Sequence, residues 1–510
     1  MAATVHELVT RAPATAVAFA APARPPLTYG RLADLLARTA ERLARLGLGP
    51  GDRVAVVLPN GPEMAAAFVA LAATVAVAPL NPAYREEEFD FYLGDLAARA
   101  LVVPAGMETP AVTVARRRGI AVLRLSVPAD APAGVFGLEV EGPPPGPPRS
   151  PRLAAAGEVA LILHTSGTTS RPKMVPLLHR NLTASARHIR DTLRLAPEDR
   201  CLQIMPLFHI HGLVAAVLAS LAAGASLFLT PGFDAFRFVG WLGESGASWT
   251  TAVPTMYQAI LARLRRHGAE GVRGRLRLLR SSSASLPPRV MRELEAIFGA
   301  PVIEAYGMTE AAHQMTSNPL PPGRRRPGTV GLPAGPEVRV ADPEGRLLGP
   351  GGEGEVVISG PNVTPGYLDD PEANAAAFFE AEGRRWFRTG DLGRFDGDGY
   401  LTLVGRLKEI INRGGEKVAP LEVDNVLMEH PAVAQVVTFA LPHPVLGEEV
   451  AAAVVPREGA AVDERELRAF AAARLADFKV PRRFVFVDEI PKGPTGKLQR
   501  IGLARRLGLT

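Results

Sequence analysis

Apolar residues in the first third of the chain switch between helical spacing and the short unbroken runs of buried strands. Tyr29 to Leu46 carries leucines at helical spacing, and Arg53 to Leu58 reads as a strand ending in Pro-Asn-Gly. Met64 to Ala73 reads as a helix and Val75 to Pro79 as a strand. This rhythm commits a chain to parallel strands, because parallel neighbours need a crossover long enough for a helix, and the helices then cover the sheet. The alternation resumes from Val159 to Ala300, with a strand over Leu276 to Ser281 and a helix from Pro287 to Phe298. Gly142 to Pro151, rich in Pro and Gly, reads as an extended connector. After Pro319 the composition shifts. Residues 320–403 are rich in Gly, Pro, Val and turn pairs, which predicts a β-rich subdomain of hairpins. Helix 420–429, strands 433–440 and 449–455, helix 464–475 and strand 483–487 then form a small α+β unit of ordinary domain size. The expected fold is α/β: a large N-terminal domain of stacked α/β sheets plus a β-rich subdomain over 1–404, a hinge at 405–409, and a small C-terminal domain over 410–510.

Several classes are set aside by composition. A chain of 510 residues exceeds one ordinary core, and 47% hydrophobic with 21% charged residues is the balance of a folded protein. A net charge of +5 without a dense Lys/Arg block gives no footprint for nucleic acid. Arg324-Arg325-Arg326, between prolines, reads as a solvated loop. The single cysteine, Cys201, rules out an intrachain disulfide and a cysteine-rich zinc site, and it reads as a buried structural thiol. Met64 to Leu80 and Leu213 to Leu229 approach membrane-span length, but both are Ala-rich and Gly224 breaks the second. Buried helix followed by buried strand is the better reading, so no membrane span is expected. The N-terminus lacks the charged-then-apolar pattern of a signal peptide, and Gly508-Leu509-Thr510 is no targeting address. The expectation is a cytoplasmic protein, monomeric or homodimeric.

The chemistry-bearing segments begin where the apolar run Val159-Ala160-Leu161-Ile162-Leu163 meets Thr165-Ser166-Gly167-Thr168-Thr169-Ser170-Arg171-Pro172-Lys173. Such a loop offers backbone N–H groups, hydroxyls and a cation to phosphate. It is not a Walker loop, since no Gly-Lys-Ser/Thr follows at the right spacing. Further on lie Glu304-Ala305-Tyr306-Gly307-Met308-Thr309-Glu310 and Arg388-Thr389-Gly390-Asp391. Gly405 to Glu416 and Pro491-Lys492-Gly493-Pro494-Thr495-Gly496-Lys497 complete the set. A tyrosine face can stack on a base, a threonine can donate to phosphate, and carboxylates suit Mg²⁺ or a ribose diol. Singly, each has a bland reading. Tyr306 equally suits a core tyrosine, Asp391 a turn cap, Gly414-Gly415 a plain hairpin bend and Lys497 a solvated lysine.

Together and in this order, these motifs resemble the acyl-adenylate-forming superfamily of acyl-CoA synthetases, luciferases and peptide-synthetase adenylation domains. Within it the closest likeness is to oxalate–CoA ligases. That likeness is carried by His164 to Lys173, Pro206-Leu207-Phe208-His209-Ile210-His211-Gly212-Leu213, Thr251 to Thr255, Arg280 to Leu286, Thr309 to His313 and Asn412 to Lys417. The resemblance implies attack of a carboxylate on the α-phosphate of ATP, then of the coenzyme A thiol on the acyl-adenylate. It implies that Thr165, Ser166, Gly167, Thr168, Thr169 and Lys173 hold the β- and γ-phosphates. Thr309 would meet the α-phosphate and Glu310 would hold Mg²⁺. Glu304, Ala305, Tyr306 and Gly307 would border adenine on one side and Ser283, Ala284 and Ser285 on the other. Asp391 and Arg406 would grip the ribose, and Lys497 would bridge the carboxylate and the α-phosphate. The small domain is expected to be mobile, pivoting at Lys408 to exchange Lys497 for Gly414, Gly415 and Glu416 beside the coenzyme A tunnel. The family usually has glycine after the loop lysine; Met174 stands there, which is expected to stiffen the loop or to require a different φ.

For the acyl pocket, a long-chain acid needs an apolar tunnel and a diacid needs polar or cationic groups. His209, His211, Arg280, Ser281 and His313 are the candidates, each with the alternative of an ordinary hydrogen-bonded histidine or, for Arg280, a surface ion pair. The resemblance favours His209, Ser281 and His313 around a small acid such as oxalate. Malonate stands within that reading, and a medium-chain fatty acid is the alternative. A carrier-protein-loading adenylation enzyme is a further one, disfavoured because the sequence ends soon after Lys497.

Overall fold

The computed structural model describes residues 2–165, 172–493 and 496–509. Two large sheets form its centre. One has nine strands, in the order Leu332–Pro333, His313–Ser317, Val302–Met308, Leu278–Ser281, Trp249–Ala252, Arg200–Gln203, Ser226–Leu229, Val17–Ala21 and Arg24–Thr28. The other has seven: Gly137–Glu141, Ala121–Ser126, Ala100–Pro104, Arg53–Val56, Ala76–Pro79, Val159–His164 and Met174–Leu178. Their central strands pair in parallel, as the alternating pattern predicts, and antiparallel pairs occur toward the edges.

The two near-membrane-length runs lie in this core. Helix Pro62–Ala72 is buried on all sides but Glu63, and it touches Val17–Ala21 of one sheet and Ala76–Pro79 of the other. A helix that is apolar all round is stable in water only when neighbours cover every face. His211–Leu218 is likewise wholly buried, but it is wound as a π-helix continuing into α-helix Ala219–Ala222. Its first turn needs Gly212, because a Cβ there would lie 2.3 Å from the Pro206 carbonyl oxygen. None of the described helices is long and apolar enough to cross a membrane. Cys201 is fully buried, and burial lifts its thiol well above the ordinary range, as befits a structural side chain.

The hairpin region is a five-stranded antiparallel sheet built from Glu337–Ala341, Glu353–Ser359, Phe378–Ala381, Arg384–Phe395 and Leu401–Arg406. A short 3₁₀ turn, Leu407–Glu409, leads to the small α+β unit. Its sheet contains Ile411–Arg413, Glu416–Val418, Val433–His443, Gly447–Pro456 and Arg483–Phe486, with helices Pro420–Met428 and Glu464–Ala472. The small unit seats against the large one. Arg289 donates to the His430 carbonyl at 3.0 Å, Arg292 pairs with Glu429 at 3.1 Å, and the Thr255 hydroxyl donates to the Gly496 carbonyl at 2.7 Å.

Three readings change. Arg325 and Arg326 are not simply solvated: Arg325 pairs with Glu295 at 3.0 Å, and Arg326 pairs with Asp396 and Asp398 and stacks on Tyr400. Arg280 is no surface ion pair but fully buried. The flanks of the predicted phosphate loop are antiparallel strands, with Thr165 N–H donating to the Lys173 carbonyl at 2.9 Å and Lys173 N–H to Thr165 Oγ1 at 3.1 Å. Met174 needs no unusual φ: it starts strand Met174–Leu178 opposite His164, and its side chain is buried.

Candidate active site

The candidate residues come from strand ends and the turns that follow them, where α/β sheets place their ligands. On the hairpin sheet, Asp391 and Arg406 face each other across antiparallel strands, Arg406 Nε lying 3.1 Å from Asp391 Oδ1. The other carboxylate oxygen accepts the Tyr306 hydroxyl. Burial raises the Asp391 carboxyl despite the Arg406 cation, while Asp391 in turn raises the Arg406 guanidinium. The Tyr306 ring sits in the apolar cluster with Ala311, Met315 and Val330. It is therefore a core tyrosine, as the bland reading has it, and its hydroxyl fixes the Asp391 carboxylate.

Strand Val302–Met308 ends in the 3₁₀ turn Thr309–Ala311, which carries Thr309 and Glu310. Glu310 is buried and its carboxyl is raised, mainly by desolvation. Tyr367 donates to Glu310 Oε1 at 3.0 Å, and the Lys173 ammonium lies 4.7 Å from the centre of the Tyr367 ring. Tyr367 thus ties Lys173 to the turn that carries Glu310. Sequence reading missed it; the turn Pro365-Gly366-Tyr367 is the only local signal. Glu304 lies behind the site, pushed up to about 8 by burial, and accepts the Leu286 N–H at 2.8 Å. It secures the Ser283-to-Leu286 turn from below. Ala305 is buried on the same strand. Gly307 has no room for a side chain, since a Cβ would lie 1.8 Å from the His313 carbonyl oxygen.

Lys497 belongs to the small domain, where its carbonyl accepts the Gly493 N–H at 2.8 Å. Burial pulls its ammonium down to about 8, with Arg406 lowering it further and Asp391 and Glu310 opposing. Its charge also reaches His209, which burial and Lys497 hold at about 3. Five candidates from separate parts of the chain, Lys497, Asp391, Arg406, Glu310 and His209, therefore share one electrostatic neighbourhood.

Beside it is a polar wall. His211 and His313 are each 1% exposed and Arg280 is 0% exposed, with the two histidine rings 4.9 Å apart. His211 Nδ1 is 3.1 Å from Ser283 Oγ and its Nε2 is 2.6 Å from Thr251 Oγ1. Arg280 donates to Thr251 Oγ1 and His313 Nδ1, both at 3.5 Å, and to Gln314 Oε1 at 3.3 Å. No carboxylate pairs with Arg280 among the described residues. Burial lowers its guanidinium only to about 10, so it keeps its charge at neutral pH. Desolvating a cation that lacks a counter-ion costs several kcal/mol. Backbone strain collects at the same place: Ser283 has φ +75°, Ala312 +46° and His313 +101°. Positive φ at non-glycine residues costs about 1–3 kcal/mol each and marks functional sites. Ser281 is fully buried, and its hydroxyl has no partner among the described residues. Ser283 points its hydroxyl at His211, while Ala284 and Ser285 occupy the more open part of the turn.

The remaining candidates lie elsewhere. Lys408 is exposed on the 3₁₀ turn. Gly414 and Gly415, both at positive φ, form the bend of a hairpin whose partners are Leu446 and Asn412 of the small domain; Glu416 there is exposed. Ser166, Gly167, Thr168 and Thr169 lie outside the described residues. No cluster of three or more metal-ligating side chains occurs among the described residues.

Residues 6–368 match the family model described as AMP-binding enzyme, and residues 422–497 match that of the AMP-binding enzyme C-terminal domain. A probable CoA ligase of Humulus lupulus is 46% identical over 93% of this chain and 90% of its own length. An oxalate–CoA ligase of Arabidopsis thaliana is 45% identical over 93% of this chain and 92% of its own. The crystal structure of ATP-bound MatB from Rhodopseudomonas palustris superposes with a TM-score of 0.86 at 31% identity, covering 100% of this chain and 99% of that one. With both domain models matched in order and relatives this similar along nearly the whole chain, the protein belongs to the AMP-binding enzyme family.

Proposed function

We propose oxalate as the acid on which this AMP-forming acid–CoA ligase acts. The observation that carries the reading is the buried wall of Arg280, His211 and His313, in which a cation lies without a carboxylate. An apolar acyl chain would leave the buried Arg280 charge uncompensated and His313 Nε2 without an acceptor, whereas a small dianion supplies both the negative charge and the acceptor. Identity to a plant oxalate–CoA ligase agrees with it. Coenzyme A–dependent AMP release is expected to be at least about a hundredfold faster at limiting acid with oxalate than with octanoate. The reverse order, measured by a coupled AMP assay, overturns the assignment.

Both half-reactions use one site. The acid's oxygen attacks the α-phosphorus, the bond to pyrophosphate breaks, and an acyl-adenylate forms. The coenzyme A sulfur then attacks the acyl carbon and AMP leaves. In-line attack builds negative charge on oxygens, so fixed cations and donors do most of the work. Lys497 bridges the attacking carboxylate and the α-phosphate, and Thr309 donates to the same phosphate. Thr165 and Lys173, with Ser166, Gly167, Thr168 and Thr169, take the β- and γ-phosphates. Asp391, held by Tyr306 and Arg406, accepts the ribose hydroxyls. Ala305, Tyr306, Gly307, Ala284 and Ser285 flank the base. The donor set fits Mg²⁺: a buried carboxylate, Glu310, that accepts the Tyr367 hydroxyl and belongs to no cluster of three or more metal-ligating side chains among the described residues, suits an ion mostly held by phosphate oxygens and water. When bound there it would neutralise phosphate charge. For the second half-reaction the unit after 405–409 turns about Lys408, withdrawing Lys497 and presenting Gly414, Gly415 and Glu416.

The working form of Lys497 is the ammonium. With its value near 8 in the free enzyme, the charged fraction is full below that pH and falls above it. The kcat/KM for adenylation should be flat up to about pH 8 and then decline about tenfold per pH unit. Lys497→Arg should be slower but lose that upper limb. A wild-type profile that stays level to pH 10 in pyrophosphate exchange contradicts the role.

A further inference from the structure

The buried wall has a direction that follows from Arg280 alone. A guanidinium has only N–H donors, so every group it touches must accept. His313 Nδ1, 3.5 Å from Arg280 Nη2, therefore carries a lone pair, and in a neutral imidazole the proton is on Nε2. His313 Nε2 is buried and has no partner among the described residues. Thr251 Oγ1 also accepts from Arg280, so its own proton must go elsewhere, and His211 Nε2 at 2.6 Å is the acceptor. His211 then holds its proton on Nδ1 and donates to Ser283 Oγ at 3.1 Å, which frees the Ser283 hydroxyl proton. Burial and the Arg280 charge both keep the two imidazoles neutral, which these tautomers require. Gln314 is fixed in the same sense: its amide nitrogen donates to Thr192 and Ala334, leaving its oxygen toward Arg280.

We propose that Arg280 is a positioning residue that sets the hydrogen-bond polarity of the acyl site, so that His313 Nε2–H and the Ser283 hydroxyl both meet the substrate as donors and select an acceptor-only anion. Arg280 itself is sealed at 0% exposure and acts through its neighbours. An orphan donor in a dry site is costly, and a carboxylate oxygen relieves it where an apolar chain or an amine does not. The strained φ of His313 and Ser283 holds both donors in place at the ends of the two relays. The inference rests on the small-acid reading above and adds the device by which that acid is chosen.

The test is steady-state AMP release with oxalate as varied substrate. Arg280→Met should raise the oxalate KM about 30-fold while the ATP KM stays within about twofold, and Arg280→Lys, which keeps a donor cation, should recover much of the loss. In a His313→Gln background the amide supplies a donor near the Nε2 position without needing a tautomer set for it. There Arg280→Met should raise the KM by only about fivefold, the share of the Ser283 relay. A merely structural role predicts equal factors in both backgrounds and a parallel rise in the ATP KM, and either result overturns the proposal. If Arg280→Met does not fold, as judged by loss of ATP-dependent thermal stabilisation, Thr251→Val breaks the Ser283 relay and should raise the oxalate KM about fivefold. No change there also overturns it. A wild-type enzyme that does not adenylate oxalate overturns the substrate reading instead. The same variants are then read on the acid the wild type prefers, where an unchanged KM rejects the role of Arg280.

Discussion

Lys497→Ala is expected to slow acyl-adenylate formation by about a thousandfold and to leave thioester formation from supplied acyl-adenylate within about threefold of wild type. Lys497 is delivered by the small domain, held by the Thr255–Gly496 hydrogen bond, and its charge falls where Asp391, Glu310, Arg406 and His209 converge. An ammonium at that point stabilises charge that grows on the attacking carboxylate and the α-phosphate, an interaction stronger in the transition state than in the ground state. Thiol attack on the acyl carbon develops its charge elsewhere and does not need it. Pyrophosphate exchange reads the first half-reaction, and thiolysis of supplied adenylate by coenzyme A reads the second. Equal losses in both would mean that Lys497 stays in place throughout, and the turn about Lys408 would have to be abandoned.

Glu310→Gln should cost adenylation about a thousandfold, with ATP binding in the absence of Mg²⁺ changed by no more than about threefold. Glutamine keeps the shape and the Tyr367 bond but not the charge. Glu310 is already desolvated, so its carboxylate gains from a nearby cation more than an exposed one would. Raising Mg²⁺ should not rescue the variant. Recovery to wild-type rate at high Mg²⁺ would mean that other groups set the metal affinity.

Much of the site is legible along the chain because the chemistry sits in short segments whose residue types have few other uses together. Thr309-Glu310, Asp391, Arg406 and Lys497 could be named from sequence, and the fold brings four of these side chains into one electrostatic neighbourhood. Tyr367 was not legible: a lone tyrosine in a Pro-Gly turn carries no signal until its hydroxyl is found on Glu310. Arg280 was legible only as one polar candidate for the acyl pocket, with a surface ion pair as its alternative. An arginine ending a strand is most often an exposed ion pair, and only the packing of the histidines and Gln314 against it shows full burial. Met174 departs from the family pattern in sequence yet is ordinary in structure, because the residue after Lys173 has already joined a buried strand.

By itself the sequence determined the layered α/β architecture, since apolar period and turn chemistry act over a few residues and leave few alternatives. It also determined the order of the nucleotide-handling motifs. Tertiary structure alone decided which ends of distant strands meet, and hence that a lysine of the small domain faces an aspartate of the hairpin sheet. It also decided the proton positions on His211 and His313. A tautomer depends on the partner across the gap, and here that partner is a buried arginine brought in by strand packing rather than by neighbourhood in sequence.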